Sequence, residues 1–413
     1  MLVIFLAALV TCLTFLYHIY GNRSGDTGES HTYRINDPEL CRLIIAGKHS
    51  SLDKREKNEL LPLSSKAGPN ERLKIAFGID NSFTSKEESY VKSFIKKATN
   101  SINLEPNEWV TLSRHAHDVV KNCLTDNGRI KLTSMVQTLS MRLALWILFE
   151  RAENNSKSHV EDDDIVNLAE AINRVWLESK SSEIPKFEKN DGLKKALSAV
   201  FPGHNILEPK ENPLNLVLPA FETLWRATLA TFIEVRFTTG RHNPEWRRTL
   251  VEFSQMPTME KFKMGVEGGI SAEFLVSEAL RLYPPTRRIH RRFRWRGETE
   301  IDIAADIEAS HTAMDIWGQD VTVFNPGRWG YLSEEQRNAY LPFGSRPYLC
   351  PASLVFGPWM IGLLVGALIG EMWEDGWLYS TNAEIMEELT SGVRLRTERN
   401  SYEEVYLVSE RPG

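Results

Sequence analysis

Apolar positions fall into three patterns along the chain. The first is an unbroken run. MLVIFLAALVTCLTFLYHIY, residues 1–20, contains no acidic or basic side chain. About 20 apolar residues are what a helix needs to cross a bilayer. A cleaved signal peptide would begin with basic residues and end on small ones. Here no basic residue precedes the run, and Tyr17, His18 and Tyr20 stand at its end. The run is therefore expected to be an uncleaved transmembrane anchor. Arg23 and Arg34 follow it, and positive charge on that side favours a cytosolic body. The second pattern is polar: residues 21–70 are rich in Gly, Ser, Lys and Glu and are expected to form a linker with short structured pieces.

The third pattern is the apolar periodicity that holds steadily from residue 71 onward. LTSMVQTLSMRLALWILFE (132–150) predicts a buried helix. Residues 160–180 predict another, opened by the acidic run Glu161 to Asp164, where the helix dipole favours negative charge. That run is read as a solvated helix start rather than a metal site. A long helix is expected at 213–237, with Asn212 as N-cap, Pro213 in first position and Gly240 just beyond the end. Pro219 inside it removes a backbone hydrogen bond and should kink the axis. A helix near 271–283 starts at Ser271 and is stopped by Pro284 and Pro285. Residues 286–330 alternate strand-like pieces with turns. SLVFGPWMIGLLVGALIGEM (353–372) is uncharged until Glu371, and its glycines and Pro358 predict a buried core helix rather than a membrane span. The last forty residues look like short strands with polar turns.

Composition narrows the function classes. At 42% hydrophobic and 25% charged, the 413-residue chain has ample material for a large core. A net charge of −6 supplies no basic face overall, which argues against a nucleic-acid partner. The four cysteines, Cys12, Cys41, Cys123 and Cys350, form no CxxC pair. Neither a disulfide framework nor a zinc site is suggested, and free thiols fit a reducing compartment.

One of these cysteines sits in the most unusual segment. PFGSRPYLCPA (342–352) places Cys350 at the end of a turn-rich loop, directly before the long apolar helix. Such a loop can hold a side chain rigidly while presenting backbone N–H groups to a thiolate. Taken alone, a buried structural cysteine is the commoner outcome. Glu278 and Arg281, at i and i+3, share one face of a helix. Alone they are an ordinary ion pair. FNPGRW (324–329) adds Arg328, a second guanidinium for the same carboxylate, and would complete a buried three-member network.

In this order and spacing, these residues resemble the cytochrome P-450 family over most of the chain from residue 71. Glu278 and Arg281 match its ExxR pair, Arg328 the arginine that completes the triad, and Cys350 the haem-iron ligand. The resemblance implies a mainly α fold with small β-sheets, one haem domain (71–413) behind the N-terminal transmembrane helix. The region before 71 is then a shortened N-terminal part. The ligand loop departs from the family pattern. The family's second glycine falls on Arg346, its arginine two before the cysteine on Tyr348, and its following glycine on Ala352. The lost arginine would pair with a haem propionate, and Arg346 is the neighbour expected to take over. Arg291 resembles the propionate arginine that follows the ExxR helix. Read as residues, the run Arg287, Arg288, Arg291, Arg292 is equally a solvated basic patch. Lys92, in Tyr90-Val-Lys92-Ser-Phe94, resembles a further propionate contact and otherwise reads as a solvated helix face.

In the long helix, Glu222 and Thr223 resemble the family's acid–alcohol pair for oxygen activation. Their residue-level alternatives are a Glu222–Arg226 surface pair and a Thr223 hydroxyl bonded back to the Pro219 carbonyl. The resemblance implies a haem b monooxygenase that inserts one atom of O2 into a small apolar substrate. A thiolate ligand favours O–O cleavage. With no Gly-rich nucleotide fingerprint in the chain, electrons would come from NADPH through a separate reductase, with cytochrome b5 as a second partner. The implied location is the endoplasmic reticulum membrane with a cytosolic catalytic domain. The style resembles fungal members of secondary or xenobiotic metabolism. Two alternatives stay open: a haem-thiolate isomerase or dehydratase, and a degenerate, non-catalytic membrane protein that keeps the fold.

Overall fold

The computed structural model describes residues 32–48, 57–124, 128–151 and 160–409. The expected anchor at 1–20 lies outside them. The described chain is mainly helical with two small sheets, as the resemblance implied. One apolar core joins the helices Pro106–Cys123, Leu132–Leu145, Asp162–Glu178, Leu214–Arg236, Ala272–Leu282 and Phe356–Glu371.

Phe356–Glu371 is apolar on every side, and each residue from Trp359 to Leu368 is buried. Its glycines explain why it packs inside protein. A Cβ on Gly366 would meet the Leu250 carbonyl oxygen at 2.1 Å, so only glycine lets this helix approach the Pro244–Gln255 backbone so closely. Two described helices are long and apolar enough to cross a membrane, Leu132–Glu150 and Leu214–Arg236. Most of each apolar window, 72% and 67%, is buried within the protein.

The long helix runs Leu214–Arg236, and the Asn212 side chain accepts from the Leu214 N–H at 3.0 Å. Pro219 has no N–H for the Asn215 carbonyl, four residues back. That orphaned carbonyl accepts from the Asn81 amide at 3.2 Å instead. A buried side chain thus repairs the bond that proline removes. The Ala272–Leu282 helix starts where Ser271 caps the Phe274 N–H and stops before the two prolines.

The first sheet has the order Tyr33–Ile35, Ile301–Asp306, Arg288–Phe293, with a parallel pair and an antiparallel pair. Its apolar face forms a second core with Cys41, Ile44 and Ile45 of the Pro38–Ile45 helix. Described pieces of the polar 21–70 stretch therefore pack onto a sheet whose other strands come from residues 288–306. The second sheet is antiparallel and joins Arg129–Lys131, Tyr406–Val408 and Trp377–Tyr379. The end of the chain differs from the all-strand expectation. A helix, Ala383–Ser391, is inserted there, capped by the Asn382 side chain and closed by Gly392 at φ +71°. Both are standard helix-end signals.

Candidate functional site

The Ala272–Leu282 helix brings Glu278 and Arg281 to one buried face, both with no exposed side-chain area. Glu278 Oε2 accepts from Arg281 Nε at 3.0 Å, and Oε1 from Arg281 Nη2 at 2.8 Å. Arg328 Nε adds a third charge-assisted bond at 3.0 Å. The Asn325 N–H and Trp329 Nε1 each donate to the same carboxylate at 3.0 Å. The remaining Arg281 donors reach the His311 and Val321 carbonyls at 2.9 and 2.7 Å. The three-member network expected from sequence is present, with its lone pairs filled.

His311 extends this network toward the cysteine. Its Nδ1 lies 3.0 Å from the Arg281 carbonyl, and its Nε2 accepts from the Leu341 N–H at 2.9 Å. Nδ1 must therefore carry the proton, and the ring is neutral. Burial pushes the imidazole down to about 3, with Arg281 adding to the effect and the backbone bond opposing it. Leu341 opens the Cys350 loop, so His311 ties that loop to the Glu278 helix. Sequence inspection missed His311, because its two partners lie thirty residues away on either side.

The loop is closed by the Cys350 N–H donating to the Phe343 carbonyl at 3.0 Å. Gly344 turns it at φ +73°, a conformation other L-residues rarely adopt. Cys350 is the N-cap of the short Pro351–Ser353 turn. Burial pushes its thiol up, while the backbone N–H of Ala352 pulls it down. No cation stands among those influences, so Cys350 is not a self-activated nucleophile. A metal bound to the sulfur would supply the missing positive charge. Among the described residues no group of three or more His, Cys, Asp or Glu side chains could hold a bare ion. A single thiol suits an iron whose other ligands come with the cofactor, as in haem.

Beside Cys350, Tyr348 lies under two buried cations. The Arg291 guanidinium stands 5.3 Å from its ring centre and Lys66 Nζ 4.8 Å. Only 4% of Arg291 and 7% of Lys66 is exposed. Arg291 donates to the Ile45 and His290 carbonyls at 3.0 and 2.8 Å. Lys66 also faces the Phe83 ring, at 5.2 Å. No carboxylate among the described residues pairs with either cation. Burial pushes Lys66 down to about 7, with Arg291 adding to it, and Arg291 down to about 10. A cation–π contact contributes about 0.5–2 kcal/mol, less than the several kcal/mol that stripping a charge of water costs. An anion at this place would remove the imbalance, and the carboxylates of haem fit it.

Arg346 and Lys92 are the two other expected cofactor contacts. Arg346 is exposed and makes no hydrogen bond or ion pair among the described residues. Lys92 pairs with Glu88 at 2.6 Å on an exposed helix face, one turn apart.

Glu222 is buried and forms its ion pair with Arg399, not Arg226. Neither of its oxygens accepts an aligned hydrogen bond. Arg226 instead donates to the Pro285 and Thr397 carbonyls. The Thr223 hydroxyl donates to the Pro219 carbonyl at 3.2 Å. A separate constellation, Ser254, His117 and Glu371, has hydrolase-like spacing at 3.2 and 2.6 Å. Ser254 is fully buried and donates to the Val251 carbonyl, so it serves packing rather than substrate.

No family model matches the chain. A Caenorhabditis elegans protein described as cytochrome P-450 CYP13A7 is 35% identical over 88 residues, covering 19% of this chain and 17% of that protein. Cytochrome P-450 CYP72A616 of Paris polyphylla is 33% identical over 123 residues, covering 27% and 24%. The chain thus spans at most about a quarter of these relatives' length. They come from a nematode and a plant, and the expected likeness to fungal members finds no support in them. The fold agrees over a far longer stretch. CYP175A1 of Thermus thermophilus superposes with a TM-score of 0.51 at 18% identity, covering 82% of this chain and 80% of that one. A variant of cytochrome P-450SP alpha, CYP152B1, gives 0.53 at 12% identity, covering 91% and 89%. The chain thus has local sequence likeness to cytochromes P-450 and shares their fold over most of its length.

Proposed function

We propose that the chain is a haem-thiolate monooxygenase acting on a small apolar substrate. The observation that carries this reading is the conjunction near one loop of a half-buried thiol and two buried cations that have no counter-charge among the described residues. Haem bound there would supply the redox centre for oxygen cleavage. The chain's own residues do the rest. Cys350 donates its sulfur from a loop held at one end by His311 and closed by Phe343. Glu278, Arg281 and Arg328 keep the helix behind that loop in register. Arg291 holds a carboxylate of the cofactor. Glu222, whose oxygens have open lone pairs, takes and returns protons through water, with Thr223 beside it at the Pro219 kink. We also propose electron supply from NADPH through a separate reductase, with cytochrome b5 as an additional donor, and attachment to the endoplasmic reticulum membrane through residues 1–20.

A second reading has one observation in its favour. The Thr223 hydroxyl is engaged with the Pro219 carbonyl, and Glu222 is held by Arg399 rather than by Thr223. This suits a haem-thiolate isomerase or dehydratase, which needs no proton delivery to oxygen. Turnover of apolar substrates by the haem-loaded protein separates the two. Dependence on O2 and on a reductase supports the monooxygenase, and turnover of a peroxide without either supports the isomerase.

A further inference from the structure

We infer that Lys66 replaces the cation that the Cys350 loop gave up at Tyr348, and that it clamps a haem carboxylate together with Arg291. This rests on the proposed haem-binding function and adds a residue to it.

Lys66 lies in the last turn of the short Pro62–Ala67 helix, in the stretch whose composition suggests a linker. Its aliphatic stem is buried and its ammonium is wedged between the Phe83 and Tyr348 rings. The position is expensive for a lysine, and among the described residues only the two ring contacts offset part of it. The second cation, Arg291, lowers Lys66 further instead of relieving it. Arg291 is also accounted for in part by the fold, because its Nε binds the Ile45 carbonyl at the end of the Pro38–Ile45 helix. Among the described residues Lys66 Nζ has no such structural bond. It faces aromatic rings and a like charge, an arrangement that makes sense around an anion.

Tyr348 explains why a lysine from another segment is needed. A phenol can give a carboxylate one neutral hydrogen bond, weaker than a charge-assisted one. As a flat ring it can instead be the floor on which two cations rest. The loop thus offers at Tyr348 a surface that positions two charges brought by other elements. Arg346, the nearer residue in sequence, could not do this from its exposed position.

The test is haem binding, not turnover. Apoprotein is titrated with ferric protoporphyrin IX and, separately, with its dimethyl ester, which lacks the two carboxylates. Wild type, Lys66→Met and Lys66→Arg are compared, with circular dichroism confirming that each is folded. Lys66→Met is expected to weaken protoporphyrin binding by about 10- to 100-fold, the size of a charge-assisted bond. It should leave ester binding at the wild-type value, and Lys66→Arg should recover most of the lost affinity. If Lys66→Met binds protoporphyrin as wild type does, or loses both porphyrins equally, Lys66 is not the clamp while the haem reading stands. If wild type binds neither porphyrin, the haem reading itself fails, and the clamp with it.

Discussion

Two groups of buried charge lie on either side of the Cys350 loop, and they are finished in opposite ways. Glu278, Arg281 and Arg328 satisfy one another, and backbone and indole donors fill the remaining lone pairs. Lys66 and Arg291 are almost as deeply buried but share the Tyr348 ring and pair with no carboxylate among the described residues. The first group belongs to the fold, which is complete without any partner. The second is half of an interaction. Buried polar groups in native proteins are satisfied as a rule, so an unsatisfied pair of cations marks the place where a ligand belongs.

The largest effect should come from breaking the closed group. Glu278→Ala strands two buried guanidinium groups and is expected to cost about 3–5 kcal/mol in a denaturant titration of the apoprotein. It should also lower haem retention. Unchanged stability would mean that the triad is not the closed network described. The bridge between the groups comes next. His311→Ala leaves the Leu341 N–H and the Arg281 carbonyl without their partner, a loss of about 1–3 kcal/mol.

His311 also makes a pH prediction. Its folded value, about 3, lies below its ordinary value of 6.5. Between those values the unfolded chain binds the extra proton, so stability falls as pH drops from about 6.5 toward 3. His311→Ala should flatten that part of the pH–stability curve. A curve as steep as wild type would show that another group is responsible. Asn81→Ala is a smaller change. It frees the Asn215 carbonyl at the Pro219 kink and should cost about 1–2 kcal/mol, measured by the same titration. The smallest effect belongs to Lys92→Ala. Its exposed pair with Glu88 should leave both stability and haem affinity at their wild-type values, and a loss of affinity would restore Lys92 to the cofactor site.

The closed group was legible in the sequence and the open one was not, for a physical reason. Glu278 and Arg281 are one helical turn apart, and Arg328 sits in a motif of its own, so spacing along the chain announces them. The same holds for Pro219 inside the long helix and for the buried helix at 353–372, whose apolar run reports its own burial. Lys66 has no such local signature. It is one lysine in a polar stretch, and its burial depends on Phe83 and on Tyr348 from the far end of the chain. His311 and Asn81 are invisible for the same cause: each repairs a contact between segments that meet only in the folded protein. Lys92 shows the converse. A glutamate one turn before it favours a solvated pair, the residue-level alternative to the cofactor contact that the resemblance implies.

The most direct test of Cys350 as the haem ligand is the spectrum of the haem-loaded protein, reduced and exposed to carbon monoxide. A Soret band shifted strongly to the red, present in wild type and lost in Cys350→Ser, is the predicted result. A folded, haem-loaded wild-type protein without that band would contradict it.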